Sequence, residues 1–278
     1  MIVQHNMTAL NANRQLGVSN SSLAKSTEKL SSGYRINRAG DDAAGLSISE
    51  KMRGQIRGLD QASTNAQDGV SLIQTAEGAM NEVHSILQRM RELTVQAAND
   101  TNETKDRDAI TLEQNQLVEE INRIADSTQF NKKDLLKGDY AAASKAINLQ
   151  VGANSGQKIS FNISDMHASK LATGLAGAGT SMASYTKATA FLATVDKAIE
   201  AVSTQRSTMG AVQNRLEHTI ANADNSAENL QAAESRIRDV DMADEMVKYS
   251  KSSILQQAGQ SMLAQANQST QGVLSLLR

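Results

Sequence analysis

The sequence predicts a mainly α protein, an elongated antiparallel helical bundle with one small β-hairpin and ends that carry coiled-coil heptads. Three observations carry this expectation. Of 278 residues only 3% are aromatic, with three Phe, four Tyr and no Trp, so the core must be built from Leu, Ile, Val, Met and Ala. Proline is absent where ordinary usage of about 5% would give roughly 14 residues, so no ring interrupts a long helix. Apolar residues recur at alternating steps of three and four over most of the chain and at a step of two over one short stretch.

The strongest helical signal runs from about Leu46 to Asn99. Leu72, Ala76, Ala79, Val83, Ile86, Met90, Leu93 and Ala97 form a coiled-coil seam. A second stripe of Met52, Ile56, Leu59, Ala66, Val70, Ile73, Met80 and Leu87 shows that this helix buries more than one side. About 50 residues at 1.5 Å each make a rod of roughly 75 to 80 Å, which needs partners along its length. The cluster Asn99, Asp100, Thr101, Asn102 ends it. A shorter helix follows over about Lys105–Ser127, with Ile110, Leu117, Ile121 and Ile124 on one face. A third long helix spans about Lys187–Val240.

Between them Ile147, Leu149 and Val151 alternate with polar residues, Gly152 to Gly156 supplies a turn, and Ile159, Phe161 and Ile163 alternate again. This predicts a β-hairpin at about 147–163. It is too small to fold alone and must lie on the bundle. Residues 165–184, rich in Gly, Ala, Ser and Thr, read as a flexible surface loop.

Both ends are nearly uncharged. Arg14 is the sole formal side-chain charge from Met1 to Ala24, and Arg278 the sole one from Ser252 onward. Yet both carry heptads: Ala9, Leu16, Leu23 and Leu30 at the start, and Leu255, Met262 and Leu276, with Leu263 and Leu277, on one lattice at the end. A solvated helix face normally carries mixed charges, so these ends are expected to be buried in something larger, including copies of themselves.

Several function classes are excluded. The balance of 28 basic against 30 acidic residues gives a net charge of −2, with no footprint for nucleic acid. Absence of cysteine removes disulfides, Cys-ligated zinc, iron–sulfur clusters and thiol nucleophiles. No phosphate loop, dinucleotide fingerprint, zincin helix or nucleophile elbow occurs, so no catalytic residue, metal site or cofactor is expected. Asp41 and Asp42 read as cap or turn residues, and His84 and His218 as structural histidines on long helices. No apolar run is long enough for membrane insertion. The opening lacks the basic and apolar regions of a cleaved secretory signal, which alone would place the chain in the cytosol.

Longer motifs then carry a resemblance. SSGYRINRAGDDAAGLSISEKMRGQIRGL (Ser31 to Leu59), NAQDGVSLIQTAEGAM (Asn65 to Met80) and LQRMRELTVQAAND (Leu87 to Asp100) closely resemble bacterial flagellin, as do SRIRDVDMADEM (Ser235 to Met246) and ILQQAGQSMLAQANQSTQGVLSLL (Ile254 to Leu277). The resemblance implies a terminal coiled-coil helix pair, the filament-core domain of residues 1–40 and 244–278, and a rod-like helical domain of residues 41–243. It also implies export through the flagellar type III apparatus, so a secreted, extracellular location in the flagellar filament replaces the cytosol. With about twenty residues between hairpin and last long helix, the chain resembles a minimal form lacking large outer domains.

The expected function is thus a structural subunit that polymerises into the flagellar filament for motility. Filament-core packing falls to Leu10, Leu16, Leu23, Leu30, Leu255, Met262, Leu263, Leu274 and Leu277. The resemblance implies a flagellar secretion chaperone on Ile254, Leu255, Met262, Leu263, Leu274 and Leu277, and contacts with the filament cap and hook–filament junction proteins. It further implies recognition of the monomer by Toll-like receptor 5 through Gln88, Arg89, Glu92, Leu93 and Glu113, with Arg89 and Leu93 at an i, i+4 spacing that puts them on one face. The alternatives are a hook–filament junction protein and a cytosolic coiled-coil scaffold. The scaffold predicts charged flanks at the ends, which are absent.

Overall fold

The computed structural model describes residues 6–180 and 182–276. Among the described residues the regular structure is six α-helices, two short 3-10 segments and two small antiparallel strand pairs, so the mainly α expectation holds. The contacts divide it into two compact units, one comprising the chain up to Ile56 and from Glu228 onward, the other Arg57–Ala227.

In the first unit, helix α1 (Met7–Ser32) starts at Asn6, whose side chain accepts the Ala9 N–H at 3.0 Å. It ends at Gly33, whose φ of 75° places it in the left-handed region that favours glycine. The Gly33 N–H closes the last turn on the Lys29 carbonyl at 2.9 Å. The next loop is folded by the acidic pair. Asp41 accepts the N–H groups of Arg38 and Asn37 at 3.0 and 3.2 Å, and these bonds hold its carboxyl below its ordinary value. Asp42 accepts the Gly45 N–H at 2.8 Å and caps α2 (Ala43–Ala97). Both carboxylates therefore serve turns and caps. Helix α5 (Tyr185–Arg238) and α6 (Met242–Leu276) are joined by a short link that pairs with residues 33–35, through Val240 N–H to Gly33 O at 3.0 Å and Arg35 N–H to Arg238 O at 2.7 Å. Asp241 caps α6 by accepting the N–H groups of Ala243 and Asp244 at 2.9 and 3.2 Å.

The second unit holds the apolar core. Helix α3 (Thr104–Ser127) follows α2 as expected, and its Ile110, Val118, Ile121 and Ala125 are buried with residues of α2 and α5. Over residues 72–97 of α2 the buried positions are Leu72, Ile73, Ala76, Met80, Val83, Leu87, Met90, Leu93, Thr94 and Ala97, drawn, Thr94 apart, from both stripes read in the sequence. Within the first stripe Ala79 and Ile86 are only half-buried, and Met80 and Leu87 of the second are fully buried beside them. Buried Gln114 of α3 fixes the pairing of α2 and α3. Its Nε2 donates to the Met90 carbonyl at 2.7 Å and to Thr94 Oγ1 at 3.1 Å.

The period-two stretch forms β3 (Ile147–Gln150) and β4 (Lys158–Phe161), with Ile147 opposite Phe161 and Leu149 opposite Ile159. The hairpin lies against α2 over glycines. A Cβ at Gly58 would fall 2.8 Å from Ala153 Cβ, one at Gly69 would overlap Leu149, and Asn65 Nδ2 donates to the Gln150 carbonyl at 3.2 Å. Ahead of it, β1 (Gln129–Phe130) and β2 (Lys133–Asp134) form a pair that the sequence reading missed. Its turn uses Asn131 and Lys132, both at positive φ, without the Asn-Gly that announces such turns.

The segment read as a flexible loop is instead packed. It contains a short helix α4 (Ala168–Leu171) and a 3-10 stretch against α3, and it buries Met166, Ala168, Leu171, Ala172, Leu175 and Met182. Its abundant Gly and Ser masked these spaced apolar residues.

Candidate functional site

Helices α1 and α6 pack side by side, antiparallel. On α1 Ala9, Ala12, Leu16, Ser19, Leu23, Ser26 and Leu30 are withdrawn from solvent, with Glu28 and Lys29 partly covered beside the last turn. On α6 Glu245, Tyr249, Ser252, Gln256, Gly259, Leu263 and Ala266 are, with Ser253 partly covered beside them. Those flanking residues apart, both series alternate steps of three and four, the geometry of a coiled-coil seam. Three contacts set its register. Ser26 Oγ donates to Glu245 Oε1 at 2.7 Å inside the seam. Gly259 packs on Leu16, whose Cδ1 would stand in ordinary contact, 3.4 Å, with a Cβ placed there. Asn6 Nδ2 donates to the Ala266 carbonyl at 3.0 Å.

Leu16, Leu23, Leu30 and Leu263 thus occupy the seam. Leu255 and Met262, expected on the same lattice, do not. They lie one residue before Gln256 and Leu263, hence about 100° round the helix, and are exposed together with Ile254 and with Leu10 of α1. The buried Glu245, bonded to Ser26 across the pair, holds a polar and small face of α6 inward rather than the apolar stripe. Leu274 and Leu277 lie outside the residues whose packing is described. The outcome is a groove of about 600 Å³ along α1 and α6, with Val18, Leu255, Ala258 and Met262 among its walls.

Glu245 is the charge at the heart of this pair. Burial pushes its carboxyl up, but hydrogen bonds from Ser26 and from Lys248, the latter at 3.2 Å, outweigh it and hold the group below its ordinary 4.5. A carboxyl lowered in the folded state stabilises the fold fully above its unfolded value and loses that contribution as pH falls through the folded one. Acid titration below about pH 4.5 should therefore loosen the α1–α6 pair, seen as faster amide exchange at seam residues. Glu245→Gln should flatten this dependence, and an unchanged pH profile in that variant would remove the assignment.

In the second unit, Gln88, Arg89 and Glu92 of α2 and Glu113 of α3 form an exposed polar surface. Arg89 Nε and Nη2 donate to Glu113 Oε1 at 3.1 and 3.0 Å, and Nη1 to Glu92 Oε2 at 3.2 Å. These bonds, that with Glu113 foremost, raise the guanidinium above its ordinary value. Leu93 does not share this surface. It is 2% exposed and belongs to the core, which corrects the expected common face with Arg89. The i, i+4 rule leaves the two residues about 40° apart on the helix, enough for one to face the core and the other solvent.

The profile of the bacterial flagellin N-terminal helical region matches residues 3–141, and that of the C-terminal helical region residues 192–277. The chain belongs to the bacterial flagellin family. It is 58% identical to a flagellin of Halalkalibacterium halodurans over the full length of both chains, and 53% identical to a flagellin of Bacillus subtilis, again over the whole of each. The crystal structure of Bacillus cereus FlgL shares the fold at a TM-score of 0.53 and 18% identity, over 66% of this chain and 99% of that one.

As a flagellin, the chain is a structural subunit of a flagellar filament. The family is structural, and its features here are seams and surfaces. Among the described residues no group of three His or acidic side chains could hold a metal ion, and no helix is long and apolar enough to cross a membrane. The residues that sequence reasoning missed are Ser26, Glu245, Tyr249, Gln256 and Gly259. A signal existed, since Glu245, Ser252, Gly259 and Ala266 recur every seven residues, but a search for apolar heptads passes over them.

Proposed function

We propose that this flagellin polymerises through its terminal helices, residues 1–40 and 244–278, which pack as the filament core, and that it does so outside the cell after export. The observation that carries this reading is the apolar stripe that the α1–α6 seam leaves exposed: Leu10 on one helix, Leu255 and Met262 on the other. The seam already satisfies each helix within the chain, so these side chains await neighbouring copies of the same chain. Around 25 cal/mol is gained per Å² of apolar surface withdrawn from water, which favours burial once neighbours dock. Leu16, Leu23, Leu30 and Leu263 hold the pair together, and Leu274 and Leu277 extend the apolar lattice in the sequence.

The test is electron microscopy after seeding with sheared filaments. The full chain should grow long tubes, and a chain lacking residues 1–30 and 251–278 should not. A full chain that stays a small oligomer under every seeding condition would overturn the reading.

Before export the same stripe needs cover. A secretion chaperone that wraps Ile254, Leu255 and Met262, and the apolar residues Leu274 and Leu277 that follow in the sequence, supplies it, and a chain ending before Lys251 should not capture that chaperone in a pull-down. At the two ends of the polymer, the filament cap and the hook–filament junction proteins meet the same terminal surfaces.

The exposed surface of Gln88, Arg89, Glu92 and Glu113 is the proposed contact for Toll-like receptor 5, with Leu93 supporting it from the core. Arg89, held in a fork of two carboxylates, is an arginine of the kind that dominates interface energetics. Arg89→Ala should lower receptor activation by monomer about tenfold or more. Its melting temperature should not move, because exposed ion pairs stabilise little. Equal activation by the variant would sink the receptor assignment.

A further inference from the structure

The described methionines divide between the two units by exposure. In the second unit Met80, Met90, Met166, Met182 and Met209 are all buried, none above 1% exposed. In the first, Met7, Met242, Met246 and Met262 are 65%, 49%, 49% and 64% exposed, while Met52 is half-buried. A thioether is oxidised at a rate that follows its access to solvent. The product is polar and fits poorly into an apolar contact.

We infer that Met7, Met242, Met246 and Met262 are an oxidant-sensitive modification site, and that a peroxide acting on them arrests assembly without unfolding the chain. In each step a sulfur lone pair attacks one peroxide oxygen and the O–O bond breaks. That oxygen becomes the sulfoxide oxygen, and the other leaves as water after taking up the peroxide's remaining proton. Sulfur is oxidised by two electrons and the peroxide is reduced by two. Met262 lines the groove beside Leu255 and Val18, so its sulfoxide places a strong dipole in the apolar wall that a neighbouring copy must cover. None of the four belongs to the buried core, so the fold has no reason to respond. The switch rests on the polymerisation reading above, since it acts on the same face.

The experiment treats full-length monomer with hydrogen peroxide, maps sulfoxides by peptide mass spectrometry, then measures seeded growth and melting. Oxygen uptake at the four exposed methionines should run at least about tenfold ahead of uptake at the five buried ones. Growth should fall about tenfold or more and return after treatment with methionine sulfoxide reductase. The melting temperature should stay in place throughout. Growth that does not return after the reductase overturns the switch. Even oxidation across both groups of methionines overturns the site, and growth that peroxide leaves unchanged overturns the arrest. An untreated chain that never grows is a separate failure: the polymerisation reading falls and takes the switch with it.

Discussion

Leu255→Asp is expected to reduce growth from filament seeds by at least about 100-fold, the equivalent of roughly 2.7 kcal/mol. Its monomer should melt within about 2 °C of the wild type, as exposed substitutions usually do. Leu255 stands exposed on α6 beside the groove, off the α1–α6 seam. Within the monomer its replacement touches nothing that holds the pair. In a polymer the introduced carboxylate would be withdrawn from water, and across the stretches Met1–Ala24 and Ser252–Leu277 Arg14 is the sole charged side chain. Gln256→Asp, one residue further along, enters the seam itself and should lower the melting temperature. Wild-type growth by Leu255→Asp would move the assembly face elsewhere on the molecule.

Leu87→Ala should destabilise the Arg57–Ala227 unit by about 2–5 kcal/mol, the cost of a cavity left by a fully buried leucine. For a unit of that size the melting temperature should fall by roughly 5–20 °C. Ile86→Ala is the informative partner. Sequence spacing alone puts Ile86 in the seam, whereas the packing leaves it half-buried and gives Leu87 the central place. Ile86→Ala should therefore cost clearly less. Equal or larger destabilisation by Ile86→Ala would show that the seam runs as the sequence spacing suggests.

These two residues show why the bundle was legible and its exact facing was not. A helix with apolar residues at 86 and 87, and again at 79 and 80, offers two adjacent stripes. Periodicity identifies the helix but leaves its rotation to the partners that fill the gaps. Helix ends were legible because their chemistry is local: Asp42 caps α2 from the position where an aspartate is expected, and the Asn99–Asn102 cluster marks its other end. The hairpin was legible through its alternation. The packed stretch after it was not, because its buried residues sit among glycines and serines without a repeat. At the terminal helices the heptads were legible, but not which stripe of α6 faces the chain's own partner helix: a buried glutamate, a glycine and several small polar residues do so, without an apolar repeat to mark them.

That division gives α6 an unusual evolutionary constraint. One side of the helix answers to α1 through Tyr249, Gln256 and Leu263, and the adjacent side, through Leu255 and Met262, is the one proposed to meet other copies. Under that proposal two adjacent stripes of the helix are held at once, and only the remainder faces water alone. Substitutions that persist in the seam should come as compensated pairs, with a change at Glu245 answered at Ser26. Covariation, rather than neutral replacement, is the mode of change open to this end of the chain.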